Sequence, residues 1–457
     1  MATSPKGHPL FERRALLGGG LATFASLMLS RSLSGCSDEA PAQTPADGGA
    51  PDGSTADAMS PIGDAASPMG DAGSAVPDAS AGADAGEMLE DVFAPRPMAQ
   101  PRLVSRIASL GPLGAPDANG LRLPEGFRSR VVARTNQRVA GTEYVWHALP
   151  DGGATYPTAD GGWIYTSNCE MPFIGGVGAI RFSARGEITA AYPILARTNI
   201  NCAGARTPWG SWLSCEEAAR GRVWECDPWG ERDAVVRPAL GVFKHEAAAI
   251  DPRSGVVYLT EDETDGRLYR FVPAQMSRRG HPVLTDGRLE VAEVSPDGAV
   301  RWLRVPDPQF REATPTRLQV PASTAFDGGE GIWWHEGVVY FSTKGTNQVF
   351  ALDVAQQRIT VLYDARAMMS PPLRGVDNIT VSCCGDVLVA EDGGTMQVVA
   401  LLPGGGALPL VQVVGHDGSE VCGPAFDPSG TRLYFSSQRG PEGGWTFEVE
   451  GPFHRPA

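Results

Sequence analysis

The chain has 457 residues, a formal net charge of −15 and 42% hydrophobic residues. It carries no dense Lys/Arg stripe, which argues against nucleic acid as a partner, and the acidic excess fits a protein that collects cations at clustered carboxylates. Once two unusual N-terminal segments are set aside, roughly 350 residues remain, large for one compact core and ordinary for a repeat-built propeller.

Residues 1–36 read as a targeting segment. Paired arginines in Phe11-Glu12-Arg13-Arg14 directly precede the apolar Ala15-Leu16-Leu17, and the run ends at Leu33-Ser34-Gly35-Cys36. This resembles a twin-arginine signal followed by lipoprotein processing at Cys36. An uncleaved signal anchor and a plain secretory signal are the alternatives. The run is too short and, with Arg31 inside it, too broken to stay in a bilayer as a permanent helix. Residues 37–100 are nearly all Ala, Asp, Gly, Ser and Pro, with too little apolar surface to offset the entropy of ordering, so a disordered linker is expected. The implied protein is exported, periplasmic or at the cell surface, and held to the membrane by a lipid on Cys36.

Residues 101–457 contain an internal repeat. An alternating strand, a polar turn and a second strand recur at Gly162–Ser167 with Ala179–Phe182, Gly210–Ser214 with Gly221–Trp224, Gly255–Asp262 with Gly266–Phe271, and Gly337–Ser342 with Gln348–Leu352. Shorter copies follow at Asp386–Ala390 and Thr431–Ser436. The spacing is mostly about 46–48 residues, which suits four-stranded blades. One longer gap, roughly 272–325, is expected to hold a lid or an extra hairpin. The expected fold is all-β, a six-bladed β-propeller.

In a blade, residues just before the innermost strand and residues ending the second strand meet at one mouth of the channel. The first set is Asp151, Cys202, Glu246, Glu330, Asp377 and Glu420. The second is Glu170, Glu216 with Glu217, Glu261 with Asp262, and Glu391 with Asp392, while Lys344 and Arg439 fill the two remaining repeats. Carboxylates so crowded repel one another and call for a cation. Oxygen-rich clusters suit calcium, and a thiolate such as Cys202 suits a transition metal. His245, beside Glu246, is a candidate ligand or proton donor, with a hydrogen-bonded structural role as the blander reading. The cysteines after Cys36 are Cys169, Cys202, Cys215, Cys226, Cys383, Cys384 and Cys422; the odd number agrees with one thiolate ligand plus disulfides or buried thiols. No Gly-x-Ser-x-Gly elbow, Walker loop or dinucleotide fingerprint is present.

Several stretches resemble the PhoX-type alkaline phosphatase family. They are Asn201-Cys202-Ala203-Gly204, Thr207-Pro208-Trp209-Gly210, Cys215-Glu216-Glu217, Lys244-His245-Glu246-Ala247-Ala248-Ala249-Ile250-Asp251 and Tyr258-Leu259-Thr260-Glu261-Asp262. The resemblance implies an exported six-bladed propeller with a phosphomonoesterase site of ferric iron and calcium. It implies that Cys202 ligates iron with help from Glu216, Glu217, Glu246 and Glu261, and that Glu330 and Glu391 complete the set; Asp262 and Glu420 join the candidate metal ligands. The implied substrate is a small phosphate ester, and a monomer is expected. One departure stands out. Where the family carries an arginine two residues before the glutamate matched to Glu330, this chain has Gly328. Lys344, Lys244 or Arg439 would have to replace that phosphate ligand. The competing readings are a metal-binding propeller without phosphatase activity and a calcium-dependent lactonase-like hydrolase.

Overall fold

The computed structural model describes residues 102–403 and 405–457. The expected signal segment at 1–36, the linker at 37–100 and the anchor at Cys36 lie outside the described residues. The remainder is an all-β, six-bladed propeller. Blade 1 runs inside to outside through Pro150–Pro157, Trp163–Cys169, Gly175–Phe182 and Ile188–Thr198. Blade 2 uses Asn201–Arg206, Trp212–Glu216, Val223–Cys226 and Val235–Val236. Blade 4 uses Gly329–His335, Val338–Thr343, Gln348–Asp353 and Arg358–Asp364. Blade 5 begins with Val376–Val381 and Val387–Glu391 and gains the short strand Leu121–Arg122 at its outer edge.

Blade 3 accounts for the long gap. After His245–Ile250, Val257–Glu261 and Leu268–Pro273 come Gly287–Val294 and a fifth strand, Val300–Arg304. The extra length is thus an outer hairpin followed by a loop. Blade 6 closes the ring: Val421–Phe426, Arg432–Gly440 and Gly443–Glu450 take their outermost strand, Arg128–Arg134, from the other end of the domain. That long-range pairing leaves no unpaired seam between the first and last blades.

The second strands are buried on both faces because every blade is sandwiched between two others. Val257–Glu261 and Val387–Glu391 have no exposed residue. Six apolar clusters result, one at each blade–blade interface. Leu213 and Val223 meet Leu259 and Phe271 between blades 2 and 3, and Leu388 and Val398 meet Phe435 and Phe447 between blades 5 and 6. The seven cysteines of the described domain are free thiols.

Candidate metal centre

Every innermost strand carries a register shift near its start, between Pro150 and Gly153, Asn201 and Gly204, His245 and Ala248, Gly329 and Ile332, Val376 and Ile379, and Cys422 and Ala425. An extra residue opposite an unbroken partner re-aims the side chains beside it. The same six places therefore set one ring of side chains: Asp151, Cys202, Glu246, Glu330, Asp377 and Cys422. All six are buried. A second ring follows the ends of the second strands and comprises Glu170, Glu217, Asp262, Lys344, Asp392 and Gln438. Backbone hydrogen bonds fix the equivalence, since Glu170, Glu217, Lys344, Asp392 and Gln438 donate N–H to the carbonyls of Leu149, Ile200, Gly328, Gly375 and Glu420 respectively. Glu420 thus stands at the register of Gly328, two residues before its ring member.

The rings bring ligand-type atoms together. Glu170, Cys202 and Glu217 place one ligand atom each within 4.8 Å of one another; so do Glu246, Glu330 and Asp377, then Asp151, Glu420 and Cys422, and finally Asp377, Asp392 and Glu420. Cys202 Sγ also reaches Glu246 Oε1 at 3.1 Å. Gln438 Nε2 bridges Asp151 Oδ2 at 2.5 Å and Glu170 Oε2 at 2.7 Å.

Three cations enter the mouth. Lys344 Nζ lies 2.8 Å from Glu330 and 3.3 Å from Asp392. Lys244 Nζ lies 2.8 Å from Glu217 and 3.2 Å from Asp262. Arg439 holds Glu420 at 2.7 Å. Against them stand nine carboxyl groups, those of Asp151, Glu170, Glu217, Glu246, Asp262, Glu330, Asp377, Asp392 and Glu420. Nine acids with three cations leave an uncompensated excess in a buried place. Burial first, and then neighbouring carboxylates, push Asp151, Glu246 and Glu330 well above the usual carboxylate range; Glu170 rises to about 9 and, despite Lys344, Asp377 to about 8. The Cys202 thiol is driven up in the same way, by burial and then by Asp151 and Glu246. Although Lys344 is an ion-pair distance from Glu330 Oε1, that buried oxygen has no hydrogen-bond partner, so the distance is met and the angle is not. A donor set of carboxylates and a thiolate, short of positive charge and with an orphaned oxygen, fits cationic metal.

Of the residues singled out from the sequence, Cys202, Glu217, Glu246, Glu330 and Glu420 stand in these groups, and Asp262, Lys344 and Arg439 at the same mouth. Glu216, Glu261 and Glu391 do not join them. Each ends a second strand, one residue before the ring member and on the opposite face. Glu216 accepts from the N–H groups of Asn199 and Arg222, Glu391 from those of Arg374, Thr395 and Gln397, and Glu261 from Tyr269 Oη. The carboxylates of Glu216 and Glu391 tie down loops, and that of Glu261 is held by Tyr269 of the next strand. His245 also turns away from Glu246. It packs tilted against Phe243, ring centroids 3.6 Å apart, and contacts the Gly241 carbonyl through Nε2 at 3.1 Å, and burial lowers its pKa to about 3, so the ring is neutral. The sequence pattern missed two ring members: Cys422, where it placed Glu420 two residues early, and Gln438, where it placed the neighbouring Arg439.

The alkaline phosphatase PhoX family model matches residues 165–226 and 218–363 of the chain. Among solved structures, Pseudomonas fluorescens PhoX in complex with vanadate, a transition state analogue, has 16% identity and a TM-score of 0.59, covering 79% of this chain and 98% of that one. A gluconolactonase from Xanthomonas campestris, XC5397, has 14% identity over 79% of this chain and 98% of its own, with a TM-score of 0.43. No curated protein matches the sequence.

Proposed function

We propose that the acidic mouth is a metal-dependent phosphomonoesterase site that works outside the cytoplasm, a reading supported by the match of the alkaline phosphatase PhoX family model to residues 165–226 and 218–363. The observation that carries this reading is the buried ring of Asp151, Cys202, Glu246, Glu330, Asp377 and Cys422, whose acidic groups must either keep their protons or bind cations. Cys202, with Glu170, Glu217 and Glu246, offers a mixed thiolate and carboxylate set that suits a transition-metal ion such as ferric iron; the all-oxygen groups around Glu330, Asp377, Asp392 and Glu420 suit calcium. Bound there, the metals would polarise phosphoryl oxygens and supply an oxygen nucleophile at neutral pH.

The chain's own cations do the remaining work. Lys344, Lys244 and Arg439 stand around the rim, each between carboxylates that hold its charge; for Lys344, Glu330 and Asp377 outweigh the burial that opposes ionisation. Ordered ammonium and guanidinium groups of this kind can orient a phosphate ester and neutralise the charge that builds on its equatorial oxygens. Gln438, fixed between Asp151 and Glu170, keeps two ligands in place. Gly328 borders the same space, since a Cβ there would lie 3.2 Å from Gly345 N, 3.4 Å from Asp262 Oδ1 and 3.5 Å from Lys344 Cβ. A phosphate group brought to this rim therefore meets Lys344 where the family carries an arginine. Export and a lipid anchor at Cys36 complete the proposal, supported by the signal-like sequence of residues 11–36.

Hydrolysis of an aryl phosphate by full-length protein supplied with iron and calcium tests the reading. Turnover that chelation removes and metal restores is the expected result. No turnover by folded, metal-loaded protein would instead favour a metal-binding propeller without phosphatase activity.

A further inference from the structure

The channel has a second mouth with different chemistry. Four residues beyond each ring member, the innermost strands place Thr155, Arg206, Ile250, Trp334, Val381 and Phe426. Five of these six are uncharged and one is an arginine. Arg206, Ile250, Trp334 and Val381 line a distal cavity of about 280 Å³, room for a small organic ligand. Its wall includes Arg206, Thr207, Trp333, Trp334, His335 and Ser382. Between it and the acidic mouth lies a waist of Gly152, Ala203, Gly204, Ala247, Gly331 and Gly423, which Trp333 also lines.

Arg206 has little to do within the protein. Its Nη1 donates to the Thr155 carbonyl at 3.3 Å, and the groups that act on its charge are Tyr156 and Cys383 rather than a carboxylate. The acid in the wall of the adjoining space, Asp427, is committed elsewhere, accepting from the backbone of Thr431 and Arg432 and from Ser429. Arg206 is half-buried in the cavity wall and no carboxylate acts on it, so its guanidinium is free to take an anion that enters the cavity. Arg206 lines the cavity together with Trp333 and Trp334.

We propose that this distal cavity binds a small organic oxyanion, a carboxylate or phosphate borne on a flat apolar group. Arg206 anchors its charge through paired hydrogen bonds, and Trp333 and Trp334 pack against its ring. The site is independent of the acidic mouth and would survive loss of the metals.

Calorimetric titration of chelator-treated full-length protein with benzoate and, separately, phenylphosphonate is the test. Saturable binding of at least one is expected, weakened at least about tenfold by Arg206→Gln and unchanged by Cys202→Ala. Which probe binds tells a carboxylate site from a phosphate site. Arg206→Lys, which keeps the charge and loses the fork, provides a second variant should the glutamine disturb folding, and it too should bind more weakly. Binding of neither probe, equal binding by both Arg206 variants and wild type, or binding abolished by Cys202→Ala would each overturn the proposal.

Discussion

Cys202 and Cys422 occupy the same register position in blades 2 and 6, the two neighbours of blade 1, but their sulfurs meet different surroundings. Cys202 Sγ contacts Glu246 and shares a ligand group with Glu170 and Glu217; Cys422 donates to the Pro150 carbonyl at 3.0 Å and shares a group with Asp151 and Glu420. The expected outcome is an asymmetry. Cys202→Ala should lower transition-metal content at least about tenfold, whereas Cys422→Ser, whose hydroxyl can keep the Pro150 bond, should lower it less. Metal analysis of the two purified variants checks it.

Lys344 sits between Glu330, Asp377 and Asp392. Lys344→Ala removes a cation from the phosphate-facing rim, and kcat for an aryl phosphate should fall on the order of 100-fold. Steady-state kinetics on metal-loaded protein decides this, with metal content measured alongside so that lost ligand geometry is not mistaken for lost catalysis.

Gly328 has φ +65°, a conformation that suits glycine. Gly328→Ala should therefore destabilise by about 1 kcal/mol without improving turnover. Gly328→Arg carries the same backbone strain but adds a guanidinium at the rim, so it should lower KM for the phosphate ester relative to Gly328→Ala. Equal KM values for the two variants would show that the arginine gains no contact.

Without metal, the mouth should make stability fall as pH rises. Glu170, at about 9, and Asp377, at about 8, hold protons in the folded chain that the unfolded chain has released above the ordinary carboxylate range. The folded state then binds more protons, so the contribution is present at about pH 4 and lost progressively up to about pH 9. Thermal melts of chelated protein across that range should show a declining Tm, and added metal should flatten the decline because it replaces the protons.

A stability prediction lies outside the site. Glu225 is buried, pairs with Arg237 Nη2 at 2.5 Å, and accepts from Trp209 Nε1 at 2.7 Å and Ser211 Oγ at 2.6 Å. Glu225→Ala strands the guanidinium and should cost about 3–5 kcal/mol, measured by denaturant unfolding.

The hairpins were legible in the sequence because the first two strands of each blade are apolar, alternate with turns and recur at one spacing. Outer strands were not. Val235–Val236 is two residues long, and Arg128–Arg134 joins blade 6 only through a pairing with Gly443–Glu450 some 300 residues away, which no local pattern encodes. At the site, types were readable and faces were not. Glu216 and Glu217 are adjacent, and so are Glu261 and Asp262 and Glu391 and Asp392, yet one member of each pair turns away from the channel and the other into it. The period of two in a strand separates them once the register is known, and the bulge in every inner strand sets that register. The same bulge places Cys422, rather than Glu420, opposite the other ring members.

The most direct test of the metal centre is anomalous X-ray diffraction at the iron edge from crystals of protein loaded with iron and calcium. The account predicts an iron peak at bonding distance from Cys202 Sγ and from carboxylates among Glu170, Glu217 and Glu246. An iron-loaded, hydrolytically active crystal with no anomalous peak at that mouth would contradict it.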